Sequence, residues 1–310
     1  MTGSFKTQVW TKTLPSRTHP ERDEDFMWSA ENGVAHAVID GMGSVRRIVN
    51  GQEVGGEHAS RLIGKVLAER LESLPPDLSI QAARELLSVA VAEAGARLFR
   101  EINASGQIPQ SEIPEGKEML DVMPAAVMTT AIICEGGRRA VLGQNGDTRG
   151  YLYSGGELML LTEDQDAVQF DVGEGKLTAE QVFAIQEAVD TFDGRDISQL
   201  DPLARSYFVR RHLAFGQIGD ELTPPPPVFS TIEVRPGDML LLCSDGVYSN
   251  LTTQEMADGM SAVDPAATLV DRADARSAGR TLPDPADLGA PYNYRAHQDD
   301  ITAVVVEIEW

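Results

Sequence analysis

Val34-Ala35-His36-Ala37-Val38-Ile39-Asp40-Gly41-Met42-Gly43 is a run of small and branched apolar residues that breaks into an acid and a turn. The apolar part reads as a buried strand. A carboxylate at the end of such a strand is costly unless it stays wet, is paired, or holds a cation. The same break recurs at Asn145-Gly146-Asp147-Thr148-Arg149, at Leu242-Cys243-Ser244-Asp245-Gly246 and at Gln298-Asp299-Asp300-Ile301. Acids that recur at strand ends so far apart in the chain point to one shared divalent-metal site.

Composition limits what such a site could serve. With 310 residues, 42% of them hydrophobic, the chain can bury a sizeable core as one large domain or two ordinary ones. Lys and Arg number 26 against 48 Asp and Glu, a formal charge of −22, so the basic clusters that hold nucleic-acid phosphates are absent. The acidic excess reads as a solvated surface, part of which collects cations. Cys134 and Cys243 lie inside apolar runs without metal-type spacing and read as reduced core residues. The N-terminal MTGSFKTQVWTKTLPSR has no signal-peptide core, and no stretch approaches the roughly 18 apolar residues of a membrane span. A cytoplasmic protein with no membrane partner is expected.

Working outward from the first strand, the pattern predicts strands at Phe26 to Ser29 and Val34 to Asp40, then helices from about Gly56 to Leu74 and Ser79 to Ala104. Pro75-Pro76 stops the first helix. Ser105 to Asp121 is polar and Pro/Gly-bearing, a surface loop. Short Gly-punctuated strands follow at Ala125 to Cys134, Arg139 to Gln144, Gly150 to Tyr153 and Glu157 to Leu161, with Ser154-Gly155-Gly156 as a hairpin tip. The strand rhythm stops between Thr162 and Pro227, where Thr178 to Val189 reads as a helix capped by Thr178 and Gln181, and Arg205 to Leu213 as another. Strands resume at Val228 to Val234 and Asp238 to Ser244. A helix at Pro265 to Ser277 and a Pro/Asp-rich loop from Thr281 to Tyr294 precede a β-branched strand, Ile301 to Ile308, expected inside a sheet. Mixed α and β layers result, with antiparallel sheets covered by helices.

Hard cations such as Mg²⁺ and Mn²⁺ prefer carboxylate, carbonyl and water oxygens. Glu24 and Asp25 precede one strand, Asp40-Gly41 ends the next, Asp245 ends a third and Asp299 leads into the last. If these ends converge they can hold two ions about 3.5 to 4 Å apart, the spacing used for in-line displacement at phosphorus.

The ordered motifs resemble those of the metal-dependent (PPM, type 2C) serine/threonine protein phosphatases, in their bacterial form. Asp23-Glu24-Asp25 is similar to the family's Asn-Glu-Asp, and Asp40-Gly41-Met42-Gly43 to Asp-Gly-Met-Gly-Gly. Thr129-Thr130-Ala131 is similar to the Gly-Thr-Thr-Ala strand, Gly146-Asp147-Thr148-Arg149 to Gly-Asp-Ser-Arg, and Leu161-Thr162-Glu163-Asp164 to Leu-Thr-x-Asp-His. Gly237 to Gly246 resembles the strand before the late Asp-Gly, and Asp299-Asp300-Ile301-Thr302 the closing Asp-Asn-x-[ST]. Each element alone is a common turn signal. Their order along nearly the whole chain is what makes the set specific.

The resemblance implies an α+β fold, a four-layer α/β/β/α sandwich whose two central, mainly antiparallel sheets are flanked by helices. It implies a single catalytic domain over 1–310 with a flap-like subdomain inserted at about 163–227. Asp40 would bridge two Mn²⁺ or Mg²⁺ ions, with the Gly41 carbonyl and Glu24 or Asp25 on one, and Asp245 and Asp299 on the other. Asp147 would serve a third, weaker ion. Asp40, Asp245 and Asp299 would carry the catalysis, in which a metal-bridged water attacks the phosphorus of phosphoserine or phosphothreonine. Phosphorylated proteins are then the substrates and a partner Ser/Thr kinase a further candidate. The alternative is a weak or inactive pseudophosphatase that keeps the fold as a regulatory binding module.

Several positions depart from the family pattern. Its phosphate-binding Arg, four residues before the motif's Glu, is Pro20 here. Arg22 is the substitute, placed on the face of Glu24 if the segment is a strand; Arg17 is the other candidate and a solvated Arg22 the bland one. Met42 stands where many eukaryotic members carry His, Ser249 where a second late Asp is common, Asp300 for Asn and Met128 for Gly. His36 sits mid-strand, His58 opens a helix, and His19, His212 and His297 have no partner visible in sequence. None is assigned as general acid, which leaves water. Ser44 to Asn50 lengthens the loop after Gly43, and its Arg46 and Arg47 read as rim residues with no catalytic duty, contact with an acidic phosphopeptide being the alternative.

Overall fold

The computed structural model describes residues 5–42, 47–49, 52–104, 124–165, 175–178, 181, 202–203, 218–219, 224–278 and 298–309. Strands β1 (Lys6–Leu14), β2 (Phe26–Ser29), β3 (Ala35–Gly41), β4 (Arg47–Val49) and β5 (Gln52–Val54) lead into helices α1 (Gly56–Leu71) and α2 (Ile80–Ala104). Then come β6 (Ala126–Cys134), β7 (Arg139–Asn145), β8 (Arg149–Ser154), β9 (Glu157–Leu160), β10 (Val228–Glu233) and β11 (Met239–Cys243). The short helices α3 (Asp245–Tyr248) and α4 (Thr253–Met260), α5 (Pro265–Ser277) and β12 (Ile301–Glu309) complete the described elements. One sheet runs β1-β12-β11-β8-β9 and the other β10-β7-β6-β3-β2, every pairing antiparallel.

Alternation along the strands shows why the layers stack as they do. In β11, Leu240 and Leu242 enter the core shared with the second sheet, while Leu241 and Cys243 turn to the helix side. In β12, Val304, Val306 and Ile308 face the sheet interior, and Ile301, Ala303 and Val305 face the helices. With both faces covered, period-two alternation collapses into a continuous apolar run, which is how these strands read in sequence. Helices α1 and α2 pack on β2, β3, β6 and β7, and α5 packs on β1 and β12. The order is helix, sheet, sheet, helix, as the resemblance implied. Both cysteines are free and buried.

Four features depart from the sequence expectation. β1 precedes the first expected strand: its residues Lys6, Gln8 and Thr11 are exposed, so it has little apolar signature. It is an edge strand held by a nine-pair register with β12. Segments β4 and β5 pair as a hairpin inside what reads as a loop. Asp245-Gly246 is the first turn of α3 rather than a simple turn, with Ser244 at its N-cap position. Helix α4 is set by a capping box in which Thr252 and Glu255 exchange side-chain to backbone bonds. The hairpin tip is as expected, Gly155 and Gly156 both at positive φ (62° and 92°), as a two-residue turn requires.

Of the expected middle insertion, the Thr178–Gln181 capping pair is present: Thr178 N–H donates to Gln181 Oε1 at 2.8 Å and Gln181 N–H to Thr178 Oγ1 at 3.3 Å. The rest of that helix, the one expected at 205–213, the loops at 105–121 and 281–294, His212, His297, Arg46 and the side chain of Arg47 lie outside the described residues. No helix among the described residues is long and apolar enough to cross a membrane.

His36 gives the fold a testable pH signature. Its ring is fully buried in β3, bonded to Ser29 Oγ and Gly33 O at 3.1 Å each, and burial pushes its pKa down to about 4. Between that value and the unfolded value near 6.5, the unfolded chain takes up a proton that the native ring does not. Stability from this residue is therefore lost as pH falls through that window, by about 3 kcal/mol in all. His36→Gln should lack this increment, so denaturant unfolding of variant and wild type at pH 7 and pH 4.5 should give stabilities that converge at the lower pH. Parallel stability profiles would refute it.

Candidate metal centre

Strand register alone brings the acids to one rim. In the second sheet, Phe26 pairs with Ile39 and Gly41 with Ala126, so the start of β2, the end of β3 and the start of β6 share an edge. Asn145, at the end of β7, pairs with Met128 at that same edge. In the first sheet, Cys243 pairs with both Ala303 and Arg149, so the end of β11 and the starts of β12 and β8 lie together. The β7–β8 turn, carrying Asp147, crosses between the sheets at this rim. Ser244 Oγ closes the gap by donating to Asp25 Oδ2 at 2.7 Å, and accepts Thr302 N–H at 3.0 Å.

The convergence has an electrostatic cost. Burial pushes the Asp40 carboxyl well above the usual range, and the negative charges of Asp25, Asp245, Asp299 and Asp147 push it further. Asp25 is raised by burial and then by Asp300 and Asp299; Asp147 by burial and then by Asp245 and Asp164. Glu24 is raised too, by burial first, with His19 opposing and Asp300 and Glu57 adding. Asp40, Asp147, Asp245 and Asp299 are half-buried, whereas Glu24 and Asp25 are buried. Burial and mutual repulsion therefore raise Asp25, Asp40 and Asp147 together, with Arg149 opposing at Asp147.

Gly41 is held at closest range. A Cβ there would lie 2.4 Å from both the Glu24 and Gly56 carbonyl oxygens, so β3 meets the start of α1 backbone to backbone. Glycine at 56 was not singled out in sequence, where only its partner at 41 belongs to a motif.

The Asp147 turn is braced by aromatic and ionic contacts. Tyr248 Oη donates to the Asp147 carbonyl at 2.9 Å, and the Arg149 guanidinium stacks on the Tyr248 ring at 3.8 Å. Arg149 also grips Asp164, Nε at 2.9 Å from Oδ1 and Nη2 at 2.5 Å from Oδ2. Gly146 and Gln165 exchange two more bonds, so the residues leading into the middle region are tied to this turn.

The segment before β2 is a loop, not the strand on which same-face placement of Arg22 and Glu24 depended. Residues 22–25 are irregular, and Arg22 closes a turn by donating its N–H to His19 O at 2.9 Å. Same-face placement by strand alternation therefore does not apply to Arg22 and Glu24; Arg22 nonetheless stands close enough to oppose the rise in the Glu24 pKa. Its Nε is buried without a hydrogen-bond partner among the described residues. Arg17, the other candidate, is committed to Asp274 of α5 through Nε at 2.8 Å and Nη2 at 2.5 Å. Ser249 donates its backbone N–H to Asp245 O and brings no carboxylate.

His19, without a visible partner in sequence, proves to sit in the site. His19, Glu24 and Asp300 each bring a possible ligand atom within 4.8 Å of the others. Both Asp300 oxygens already accept backbone N–H groups, from Ser16 at 2.5 Å and Glu24 at 2.7 Å, so that triad is wired as a hydrogen-bonded latch. Burial pushes Asp300 up to about 6, the two N–H bonds opposing. The only sequence signal was an acid where the family pattern has Asn.

The residues present fit a pair of hard cations. Among the described residues the rim acids Glu24, Asp25, Asp40, Asp147, Asp245 and Asp299 offer carboxylate oxygens, the donor type that such ions prefer. Asp25 Oδ1 is buried with no hydrogen-bond partner among the described residues, a state that a cation relieves and an empty apolar pocket does not. Fold and rim together define a four-layer sandwich with a carboxylate-rich rim of the chemistry that divalent ions prefer.

Comparison with known proteins agrees. The family model for protein phosphatase 2C matches residues 16–283. The serine/threonine protein phosphatase PstP of Mycobacterium tuberculosis is 28% identical over 185 residues, 58% of this chain and 31% of that protein. The chain thus spans about a third of the length of the curated relatives it matches. The crystal structure of the Mycobacterium tuberculosis phosphatase PstP/Ppp superposes with a TM-score of 0.65 at 22% identity, covering 98% of this chain and 99% of that one. The PstP catalytic domain in complex with two manganese ions gives 0.61 at 20%, covering 99% and 100%. The chain belongs to the protein phosphatase 2C family.

Proposed function

We propose that this chain is a Mn²⁺- or Mg²⁺-dependent phosphatase that hydrolyses phosphoserine and phosphothreonine in proteins. The observation that carries the reading is the meeting of Asp25, Asp40, Asp147, Asp245 and Asp299 at one rim, where burial and the neighbouring acids raise the carboxyls of Asp25, Asp40 and Asp147 well above their usual range. Membership of the family and a relative named as a serine/threonine protein phosphatase support it, as does the manganese pair in the PstP structure. In this reading Asp40, the Gly41 carbonyl, Glu24 or Asp25, Asp245 and Asp299 would hold two ions, and Asp147 would serve a weaker third. Ions bound there supply a water-derived nucleophile at neutral pH and Lewis acidity toward phosphoryl oxygens.

The chain's own residues do the rest. Ser244 Oγ fixes Asp25 through Oδ2 and leaves Oδ1 buried with no hydrogen-bond partner among the described residues. Tyr248 and Arg149 fix the Asp147 turn. Arg22, its buried Nε unmatched, binds phosphate oxygens and holds the phosphorus in line. No Cys or Ser nucleophile is required, and burial holds both cysteine thiols protonated, Cys134 pushed up to about 12. A cognate Ser/Thr kinase is the partner class such substrates imply. The region at about 163–227 serves as a flap-like subdomain of a single catalytic domain. Free, buried cysteines fit a reducing compartment, and we place its action in the cytoplasm.

The test is hydrolysis of p-nitrophenyl phosphate and of a phosphothreonine peptide with and without millimolar Mn²⁺; no activity on either with the ion would sink the proposal. Arg22→Ala should raise KM for the peptide about tenfold with a smaller change in kcat, the mark of a lost binding contact. An unchanged KM would remove Arg22 from the site.

A further inference from the structure

We infer that Asp300, acting with His19, is a positioning residue: it closes the loop 16–24 so that Arg22 and Glu24 face the reacting phosphate. The inference rests on the phosphatase reading above for its consequence, though not for its geometry. Asp300 is 2% exposed and receives backbone N–H groups from both ends of that loop, Ser16 on Oδ1 at 2.5 Å and Glu24 on Oδ2 at 2.7 Å. A carboxylate offers two acceptor oxygens, whereas the isosteric carboxamide offers one and turns an NH₂ donor toward the second N–H. The acid that replaces the family's Asn is thus the residue that can hold both ends at once.

Inside the loop, His19 fixes the backbone of Arg22 from both sides. The Arg22 N–H donates to His19 O at 2.9 Å, and His19 Nδ1–H donates to Arg22 O at 3.1 Å. The same ring nitrogen stands 3.7 Å from Asp300 Oδ1. Ser16 Oγ and Thr18 Oγ1, 2.8 Å apart, stiffen the first limb of the loop. Among the described residues the Arg22 Nε has no hydrogen-bond partner, and this backbone frame places the side chain's origin. A loop with Pro20 at the usual arginine position can in this way still present a guanidinium, from two residues further on. Misplacing such a group by about 1 Å is enough to cost a large factor in rate or binding.

The experiment uses the full chain. Amide exchange at Ser16 and Glu24 is measured on metal-free and Mn²⁺-loaded wild type, Asp300→Asn and Arg22→Ala, beside kcat and KM for a phosphothreonine peptide. Asp300→Asn is expected to speed exchange at one or both amides and to raise KM about tenfold with a smaller change in kcat. Arg22→Ala should raise KM without altering exchange, and the double variant should be little worse than either single one. Wild-type exchange at both amides in Asp300→Asn overturns the inference. Faster exchange with KM unchanged in both single variants upholds the latch and overturns the role of Arg22 instead. If Asp300→Asn does not fold, the wild type carries the test: a scalar coupling across the hydrogen bond between Glu24 N and Asp300 Cγ is expected by NMR, and its absence overturns the latch.

Discussion

Asp40→Asn is expected to abolish Mn²⁺-dependent hydrolysis of p-nitrophenyl phosphate, by roughly a thousandfold or more or about 4 kcal/mol in the barrier, and to make the metal-free protein more stable. The second half separates a metal ligand from a merely structural acid. In the metal-free fold, burial and four neighbouring carboxylates raise the Asp40 pKa well above its unfolded value. The native state then holds a proton that the unfolded chain releases, so this residue's contribution to stability falls as pH rises above the unfolded value near 4. At pH 7 the wild-type carboxyl is a cost that asparagine does not carry. A cation that binds only the native state reverses the balance, adding about 2.7 kcal/mol at a hundred times its Kd. Wild type should therefore melt higher with Mn²⁺ than in EDTA, while Asp40→Asn should melt above wild type in EDTA and gain little from the ion. Asp245→Asn should show the same loss of activity and of Mn²⁺ stabilisation. An Asp40→Asn protein that retains the full Mn²⁺ increment would show that the carboxylates converge for another reason.

Gly56→Ala is the second large effect, and it comes from a residue with no chemistry of its own. A Cβ at that position would lie 2.6 Å from Gly41 C and 2.7 Å from Gly41 O, with Met42 C at 2.9 Å. All three are backbone atoms next to Asp40, so no side chain can rotate away to make room. Either α1 shifts off β3 or the Asp40-Gly41-Met42 segment moves. We expect destabilisation of about 3 kcal/mol, at the upper end for overpacking, and a loss of activity of roughly a hundredfold from misplacement of the ligands. Denaturant unfolding and a Mn²⁺ titration of activity measure the two together. Activity within twofold of wild type would show that the contact can relax.

These two variants divide what was legible from what was not. Asp40 announces itself, because a charge at the end of Val34 to Ile39 violates the pattern around it. Strands β3, β11 and β12 are equally plain, since both faces are covered and almost every residue is apolar. Helix α5 carries its own start signal, Asp264 accepting from Ala267 N–H with Pro265 at the first position. Gly56 gives no such sign: a glycine opening a helix looks the same whether or not another backbone lies against it. Strand β1 was hidden for a related reason. Its polar residues belong to an edge, and what holds it is pairing with β12 at the other end of the chain.

Asp299 and Asp300 show the division most closely. Sequence places two acids before the last strand, and neighbours in an extended segment point to opposite sides. Tertiary structure decides which side is which: Asp299 lends its charge to Asp40 and Asp25, and Asp300 turns to the backbone of Ser16 and Glu24. By itself the sequence determined the apolar core strands, helices α1, α2 and α5 and the set of acids at strand ends, because hydrophobic period and turn chemistry are local. It did not determine that His19 and Tyr248 belong to the site, that Arg17 is spent on Asp274, or that Asp300 is a latch. Those assignments depend on partners such as Asp25 with Ser244 and Glu24 with Asp300, which lie 219 and 276 residues apart in the chain. Only the packing of one sheet on the other brings them within hydrogen-bonding distance.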